Sequence, residues 1–304
     1  MVKITFDYRL LLFFNIILTI IALGYIIFYD VPNTIQIFEE EGKIFRIWYF
    51  DEAILKSDGK GPGMITAMIF NCIAAVIFIM VTHRIRIIRN KQVATSEPSK
   101  GKYMMANIYY SAVLLSIARI LEAIYIITET DAKSILMVGL RIHIPIDNIA
   151  MVIFFSVCVD AFFTFELERQ KKYTKLLLTL AWISISTGWI RIYIEMTLDP
   201  VLETIAHILL ICTLVIIGFT SIIIETKIRN VSHKIQENQK AVRSIGFILF
   251  WFLIAATLSI VIFLTFPNLT QYILRTIKNI GFMIIALLFF PAFIHPAEKK
   301  RVSS

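Results

Sequence analysis

Ionisable residues inside long apolar runs are the feature of this sequence that points most directly to chemistry. Arg119 precedes Glu122 by three residues and Arg191 precedes Glu195 by four, so each pair lies on one face of a helix. Charge at bilayer depth is costly and normally faces a bundle interior, a cavity or a charged partner. We therefore predict a polar ligand-binding pocket. Its candidate residues, all ionisable, are Arg119, Glu122, Asp147, Arg191, Glu195 and His207.

Two alternatives to a pocket stay open. The pairs Arg119–Glu122 and Arg191–Glu195 could be internal ion pairs that lock neighbouring helices. Residues near the ends of apolar runs, such as Glu203 and Lys278, are better explained by side chains that extend to the lipid headgroups.

The residue types that catalysis or metal binding needs do not form a recognisable pattern. The five histidines are scattered, with no HxxxH or HExxH spacing and no Cys/His cluster. The sequence has no glycine-rich phosphate loop and no GxSxG motif. We expect no catalytic residue, no metal site and no cofactor, and hence not an enzyme.

The elements that must position these residues are membrane-spanning helices. The chain has 304 residues, of which 58% are hydrophobic, and a mean hydropathy of +0.77. A spanning helix needs roughly 20 mainly apolar residues. We predict an all-α polytopic bundle of eight spans, an N-terminal anchor plus a seven-helix core, in a single domain. The spans are 10–29, 64–82, 105–128, 144–166, 176–197, 201–224, 245–266 and 277–294.

The distribution of basic residues predicts the orientation. With the N-terminus in the cytoplasm, the inner segments carry 20 Lys and Arg and the outer segments carry 7. Cytoplasmic loops are enriched in Lys and Arg, so both termini are predicted to be cytoplasmic in a multi-pass protein of the cell membrane. The net charge of +8 is explained by this topology, and we expect the bilayer rather than a nucleic acid as partner.

The long outer loop, residues 30–63, mixes aromatic residues with charges. It is either a surface-lying amphipathic connector or a lid over an outer cavity.

The depth of the charges distinguishes a pocket from a conduit. In the predicted topology nearly all of them lie in the outer half of the membrane, and only Asp160 lies deep on the cytoplasmic side. A proton or ion pathway needs polar residues on both sides of the midplane. The distribution therefore favours a pocket that opens outward.

One stretch resembles a known family. The residues ARILEAIYIITETDAKSILMVGLRIHIPIDNIAMVIFF, followed by FTFELERQKK, resemble the second and third helices of the seven-helix N-terminal sensor region of some bacterial and archaeal histidine kinases. Glu122, Asp131, Pro145 and residues 165–169 occupy similar positions, whereas Arg119 and Asn148 stand where tryptophan is usual. The resemblance implies a sensor or receptor-like membrane domain. It does not imply kinase activity, since no kinase sequence follows the eighth run.

The leading functional hypothesis is a stand-alone sensor or receptor-like protein. Its outward-facing pocket would bind a small or amphipathic ligand, and a signalling partner would dock on the basic cytoplasmic loops. One alternative is a proton-coupled secondary transporter with Asp160 as the inner station. Others are a structural subunit of a membrane complex, with the charges as helix locks, and a membrane-embedded enzyme.

Overall fold

All the regular secondary structure in the described part of this protein is helical. The computed structural model describes residues 60–93, 100–128, 143–163, 168–177, 179–180, 183, 200–232, 239–264 and 268–296. Within these ranges there are six helices long and apolar enough to cross a membrane. They are α1 (Lys60–Val93), α2 (Lys100–Thr128), α3 (His143–Phe162), α4 (Pro200–Ser232), α5 (Gln239–Leu264) and α6 (Asn268–Phe289).

The helix α6 continues directly into a π-helix, Phe290–Ile294. Pro291 lies in this segment and has no backbone N–H to donate to the preceding turn. The N–H of His295 bonds to the carbonyl oxygen of Phe290, five residues back, which is the π-helical pattern. The chain therefore passes the proline without losing its helical course.

Six of the eight predicted spans correspond to these helices. The helix α2 ends at residue 128, as predicted, whereas α1 and α4 continue past their predicted ends at 82 and 224 to Val93 and Ser232. Their last turns are rich in Lys and Arg, so these helices extend beyond the apolar layer. The predicted spans 10–29 and, for the most part, 176–197 lie outside the described residues.

Two boundaries differ from the sequence-based prediction. The helix α3 ends at Phe162 rather than at 166. The predicted outer loop, 30–63, lies outside the described residues up to residue 59, but its last four residues already belong to α1. Pro62 is tolerated there because the first turn of a helix needs no intrahelical N–H donor.

The six helices pack in a ring. Each packs against its neighbours in chain order, and α6 returns to pack against α1. The helix α3 lies deepest, since residues 145–159 are buried without interruption. From this position the Phe154 ring contacts Phe252 on α5, Phe289 on α6 and Phe293 in the π-helix, at centroid distances of 5.5, 5.7 and 6.0 Å.

The outer surface of the ring is apolar. On α1 the exposed side chains include Ile69, Ile73, Val76 and Met80, spaced four, three and four residues apart. On α4 Ile208, Val215, Phe219 and Ile222 are exposed in the same way. Apolar surface on this scale is unfavourable in water and matches lipid acyl chains. The protein is a multi-pass helical membrane bundle.

The two ends of the bundle differ in charge. At one end lie the C-terminal turns of α1 and α4, the N-terminal turn of α5 and residues 168–177. The exposed cations at this basic end include Arg84, Arg86, Lys171, Lys172, Lys240 and Arg243. The charged residues buried inside the bundle lie toward the other end.

Candidate functional site

Four side chains of alternating charge, three of them buried and one half-buried, form a continuous chain across three helices. The Glu122 carboxylate on α2 accepts a hydrogen bond from Lys278 Nζ on α6 through Oε1, and from Arg119 Nη1 through Oε2. Nη2 of Arg119 donates to Oδ2 of Asp147 on α3. The order Lys278–Glu122–Arg119–Asp147 thus connects α6, α2 and α3. We call these four residues the charge chain.

The guanidinium of Arg119 is also surrounded by uncharged groups. Its Nη1 lies 3.3 Å from Asn71 Oδ1 on α1 and 3.5 Å from Asn279 Oδ1 on α6. Asn279 Nδ2 donates to the carbonyl oxygen of Ala67 at 3.1 Å, which ties α6 to α1. The Phe282 ring lies against the guanidinium, with Cζ 3.8 Å from its centroid, a cation–π contact. Arg119 therefore has partners on four helices.

Local sequence spacing explains part of this arrangement. Arg119 and Glu122 are three residues apart and share a face of α2, and Lys278 and Phe282 are four apart on α6. Asp147 is the fifth residue of α3, where the positive end of the helix dipole favours a carboxylate.

The charge chain is balanced and graded in accessibility. It holds two cations and two anions, so the attraction between opposite charges offsets part of the cost of removing each from water. The exposed fraction of the side chain is 0% for Arg119 and 4% for Glu122, but 11% for Lys278 and 10% for Asp147. The centre of the chain is closed, and its two ends are slightly more exposed.

Three buried polar atoms at this site have no hydrogen-bond partner in the part of the chain that the structure describes. They are Nδ2 of Asn71, Nε of Arg119 and Oδ1 of Asp147. Because Nε adjoins the bonded Nη2, and Oδ1 the bonded Oδ2, the edge of the Arg119–Asp147 pair presents a donor and an acceptor.

A second layer of residues lies about one turn from the charge chain, toward the same end of the bundle. Tyr125 follows Glu122 by three residues, and its ring lies 5.5 Å from that of His143 at the start of α3. Arg275 precedes Lys278 by three, and its Cζ lies 5.8 Å from the centroid of Tyr125. Aromatic and basic side chains therefore lie beside the charge chain, on the side that faces away from the basic end of the bundle.

The structure brings together three of the six residues predicted to bind a ligand, namely Arg119, Glu122 and Asp147. Arg191 and Glu195 lie outside the described residues, so their placement stays a prediction. His207 lies on α4, and its side chain is also outside the described part.

Sequence reasoning missed Asn71, Lys278, Asn279 and Phe282. Lys278 was expected to reach the headgroups, but it instead pairs with Glu122 inside the bundle. The available signal was the position of Asn71 and Asn279 within apolar spans, where a polar side chain needs a partner.

Asp160 lies apart from the charge chain. It accepts a hydrogen bond from Gln170 Nε2 at 3.0 Å, at the opposite end of α3 from Asp147. Residues 149–155, between the two aspartates, are apolar and buried. Among the described residues, no group of three or more His, Cys, Asp and Glu side chains could hold a metal ion.

Comparisons of the chain with known protein families, with curated proteins and with solved structures found no match. What the site can do therefore follows from its geometry and charge.

Proposed function

We propose that this protein is a sensor or receptor-like membrane protein whose ligand acts on the charge chain. The observation that carries the proposal is the sharing of Glu122 between cations on two helices, Arg119 on α2 and Lys278 on α6. A carboxylate with two competing partners can change its pairing when one partner is drawn away. Such a change would move α2 relative to α6.

The accessible ends of the charge chain set the chemistry of the ligand. An anionic group would compete with Glu122 for Lys278, and a cationic group would compete with Arg119 for Asp147. Either competition shifts the helices only if the ligand binds one arrangement more tightly than the other. We therefore infer a small or amphipathic ligand that carries at least one charge.

The two ends of the bundle give the signal a direction. Because Lys and Arg are enriched on the cytoplasmic side of membrane proteins, we infer that the basic end is cytoplasmic and that the charge chain lies in the outer half. A ligand would then reach the site from outside or from the outer leaflet. A cytoplasmic partner would respond at the basic end. The resemblance of residues 118–155 and 163–172 to histidine kinase sensor regions, drawn from the sequence alone, points to the same function.

Two of the alternative functions, the transporter and the structural subunit, have less support. A proton-coupled transporter needs polar stations along its path, but the central part of α3 between Asp147 and Asp160, residues 149–155, is apolar. A purely structural lock does not need charge, since apolar packing of similar volume often stabilises as well as a buried ion pair does. Charged residues at membrane depth are more often functional.

The test is a thermal-unfolding screen of the purified protein in detergent. The compounds are small carboxylates, amines and their amphipathic homologues, tested on the wild type and on Lys278→Met, Asp147→Asn and Lys171→Met. Binding to the folded state raises the melting temperature. We expect at least one compound to stabilise the wild type and Lys171→Met. The same compound should fail to stabilise at least one of the two charge-chain variants, Lys278→Met and Asp147→Asn. Equal stabilisation of all four proteins, or of none, would contradict the proposal.

A further inference from the structure

A stripe of exposed apolar side chains runs along α1 toward the basic end of the bundle. Ile69, Ile73, Val76 and Met80 follow one another at intervals of four, three and four residues and are 40–56% exposed. In a spanning helix, a face of this kind contacts lipid acyl chains. We call these four residues the α1 stripe.

Two exposed arginines lie where the α1 stripe ends. Arg84 follows Met80 by four residues, and Arg86 follows Ile79, which is also exposed, by seven. Arg84 and Arg86 are two residues apart and thus about 160° apart around the helix axis. Arg84 therefore continues the line of the stripe, and Arg86 lies on another face of the helix, in line with Ile79.

A third arginine indicates the depth of Arg84 and Arg86 in the membrane. Arg89 lies over two rings of α2, with its Cζ 5.5 Å from the centroid of Tyr109 and 5.7 Å from that of Tyr110. Tyrosines are enriched at the level of the lipid headgroups. Arg84 and Arg89 are separated by about 7 Å along the helix, close to the thickness of one headgroup layer. All three cations thus fit within that layer.

We propose that the α1 stripe and the arginines at its basic end bind an anionic phospholipid, with the phosphate at Arg84, Arg86 adding positive charge at the same level, and the acyl chains along the stripe. Guanidinium groups bind phosphate through paired, charge-assisted hydrogen bonds. The same order of groups occurs on α5, where the exposed Arg243 precedes the exposed Phe247 and Phe250 by four and seven residues. This site does not depend on the proposed sensor function.

A lipid fits this surface better than a protein partner. Arg84 continues a face of α1 that contacts acyl chains, and a phospholipid carries a phosphate and acyl chains in one molecule, so it can bind both parts of this surface at once. A soluble protein would instead meet the cations that lie beyond the apolar face, such as Lys171 and Lys172 of residues 168–177.

The experiment measures binding of dioleoylphosphatidylglycerol to the purified full-length protein in neutral detergent, by native mass spectrometry. Dioleoylphosphatidylcholine and inorganic phosphate are the reference ligands. The variants are R84Q/R86Q, the charge-preserving R84K/R86K, and K171Q/K172Q, which removes the same charge at the same end but away from the stripe. Unfolding temperatures with phosphatidylcholine alone verify that each variant is folded.

We expect the wild type to bind phosphatidylglycerol more tightly than phosphatidylcholine. Each basic residue near an anionic lipid surface strengthens the binding of that lipid. The variant R84Q/R86Q loses two of them, which should weaken phosphatidylglycerol binding by about 30-fold. The variants R84K/R86K and K171Q/K172Q should stay within a few-fold of the wild type.

Three outcomes would overturn the lipid site. Equal weakening in R84Q/R86Q and K171Q/K172Q would show diffuse surface charge rather than a site on α1. Binding of inorganic phosphate as tight as that of phosphatidylglycerol would show a site for a soluble anion. No preference of the wild type for phosphatidylglycerol over phosphatidylcholine would leave the basic end to a protein partner.

Discussion

Glu122 joins the two cations of the charge chain. Its two oxygens accept hydrogen bonds from two different cations, and its side chain is almost fully buried. Removing its charge leaves Lys278 without its carboxylate partner and leaves Arg119 with Asp147 alone. In a low-dielectric interior, an uncompensated cation costs far more than a lost surface contact.

We predict that Glu122→Gln lowers the free energy of unfolding by about 3–5 kcal/mol, because it leaves a buried charge unpaired. The matched control is Glu225→Gln, which removes an exposed pair with Arg229 and should cost about 0–1 kcal/mol. Both can be measured by thermal or denaturant unfolding in the same detergent. Equal losses in the two variants would show that burial does not strengthen the Glu122 pairs.

The sequence predicts the local part of this site but not the distant part. Arg119 and Glu122 are three residues apart, so their shared face follows from the helical period. Lys278 lies 156 residues after Glu122, and no period connects them. Their contact depends on α6 returning to pack beside α1 and α2, which requires the arrangement of the whole ring.

At the scale of the helices, glycines set how closely α5 approaches its neighbours. A Cβ atom added at Gly281 on α6 would lie 3.2 Å from Cε3 of Trp251 on α5, and one at Gly218 on α4 would lie 3.1 Å from Cδ1 of Leu253. Small residues allow close helix packing in membranes. The indole ring of Trp251 is stiff, whereas the tip of Leu253 can rotate away.

We predict that Gly281→Ala destabilises the protein by about 1–3 kcal/mol, because the added methyl group overpacks the contact with Trp251. The control is Gly246→Ala, where the added Cβ would meet Ile228 Cγ2 at 3.7 Å, an ordinary contact. Alanine favours a helix more than glycine does, so Gly246→Ala should be neutral or stabilising. Unfolding temperatures of both variants give the comparison, and a stable Gly281→Ala would mean that α5 and α6 separate easily.

The existence of the helices was predictable, and some of their ends were not. Long apolar runs identify α1 to α6 because only a helix satisfies the backbone within lipid. Hydropathy cannot show where α1 ends, since the helix continues to Val93 through a basic segment that lies beyond the apolar layer. The π-helix at Phe290–Ile294 was not predicted either, because the apolar run that gave the span 277–294 does not distinguish a π-helix from an α-helix.

For the molecule as a whole, the unequal charge of the two ends is the main determinant of orientation. We predict that Lys171→Cys, in a variant without the three native cysteines, reacts with a membrane-impermeant maleimide only after the cells are permeabilised. Asn268→Cys, at the start of α6 and at the opposite end, should react in intact cells. The reverse labelling pattern would place the charge chain in the inner half of the membrane and contradict the proposed outward-facing site.

The charge chain also has a consequence for how the protein is made. Within its span, α2 carries one cation and one anion, Arg119 and Glu122, which neutralise each other on the same helix. The sequence of α3 contains only acidic residues among its Asp, Glu, Lys and Arg positions, and that of α6 contains only basic ones. A lone charge at mid-helix raises the cost of entering the bilayer by about 2.5–3.5 kcal/mol.

Synthesis delivers these helices in a favourable order. The self-neutralised α2 emerges first, and Asp147 on α3 follows it directly with Arg119 already in place as a partner. Lys278 on α6 is made last and completes the pairing at Glu122. The helix α2 thus carries the partners of the charges on both later helices. The order in which the three helices are synthesised is therefore the order in which their charges can be neutralised.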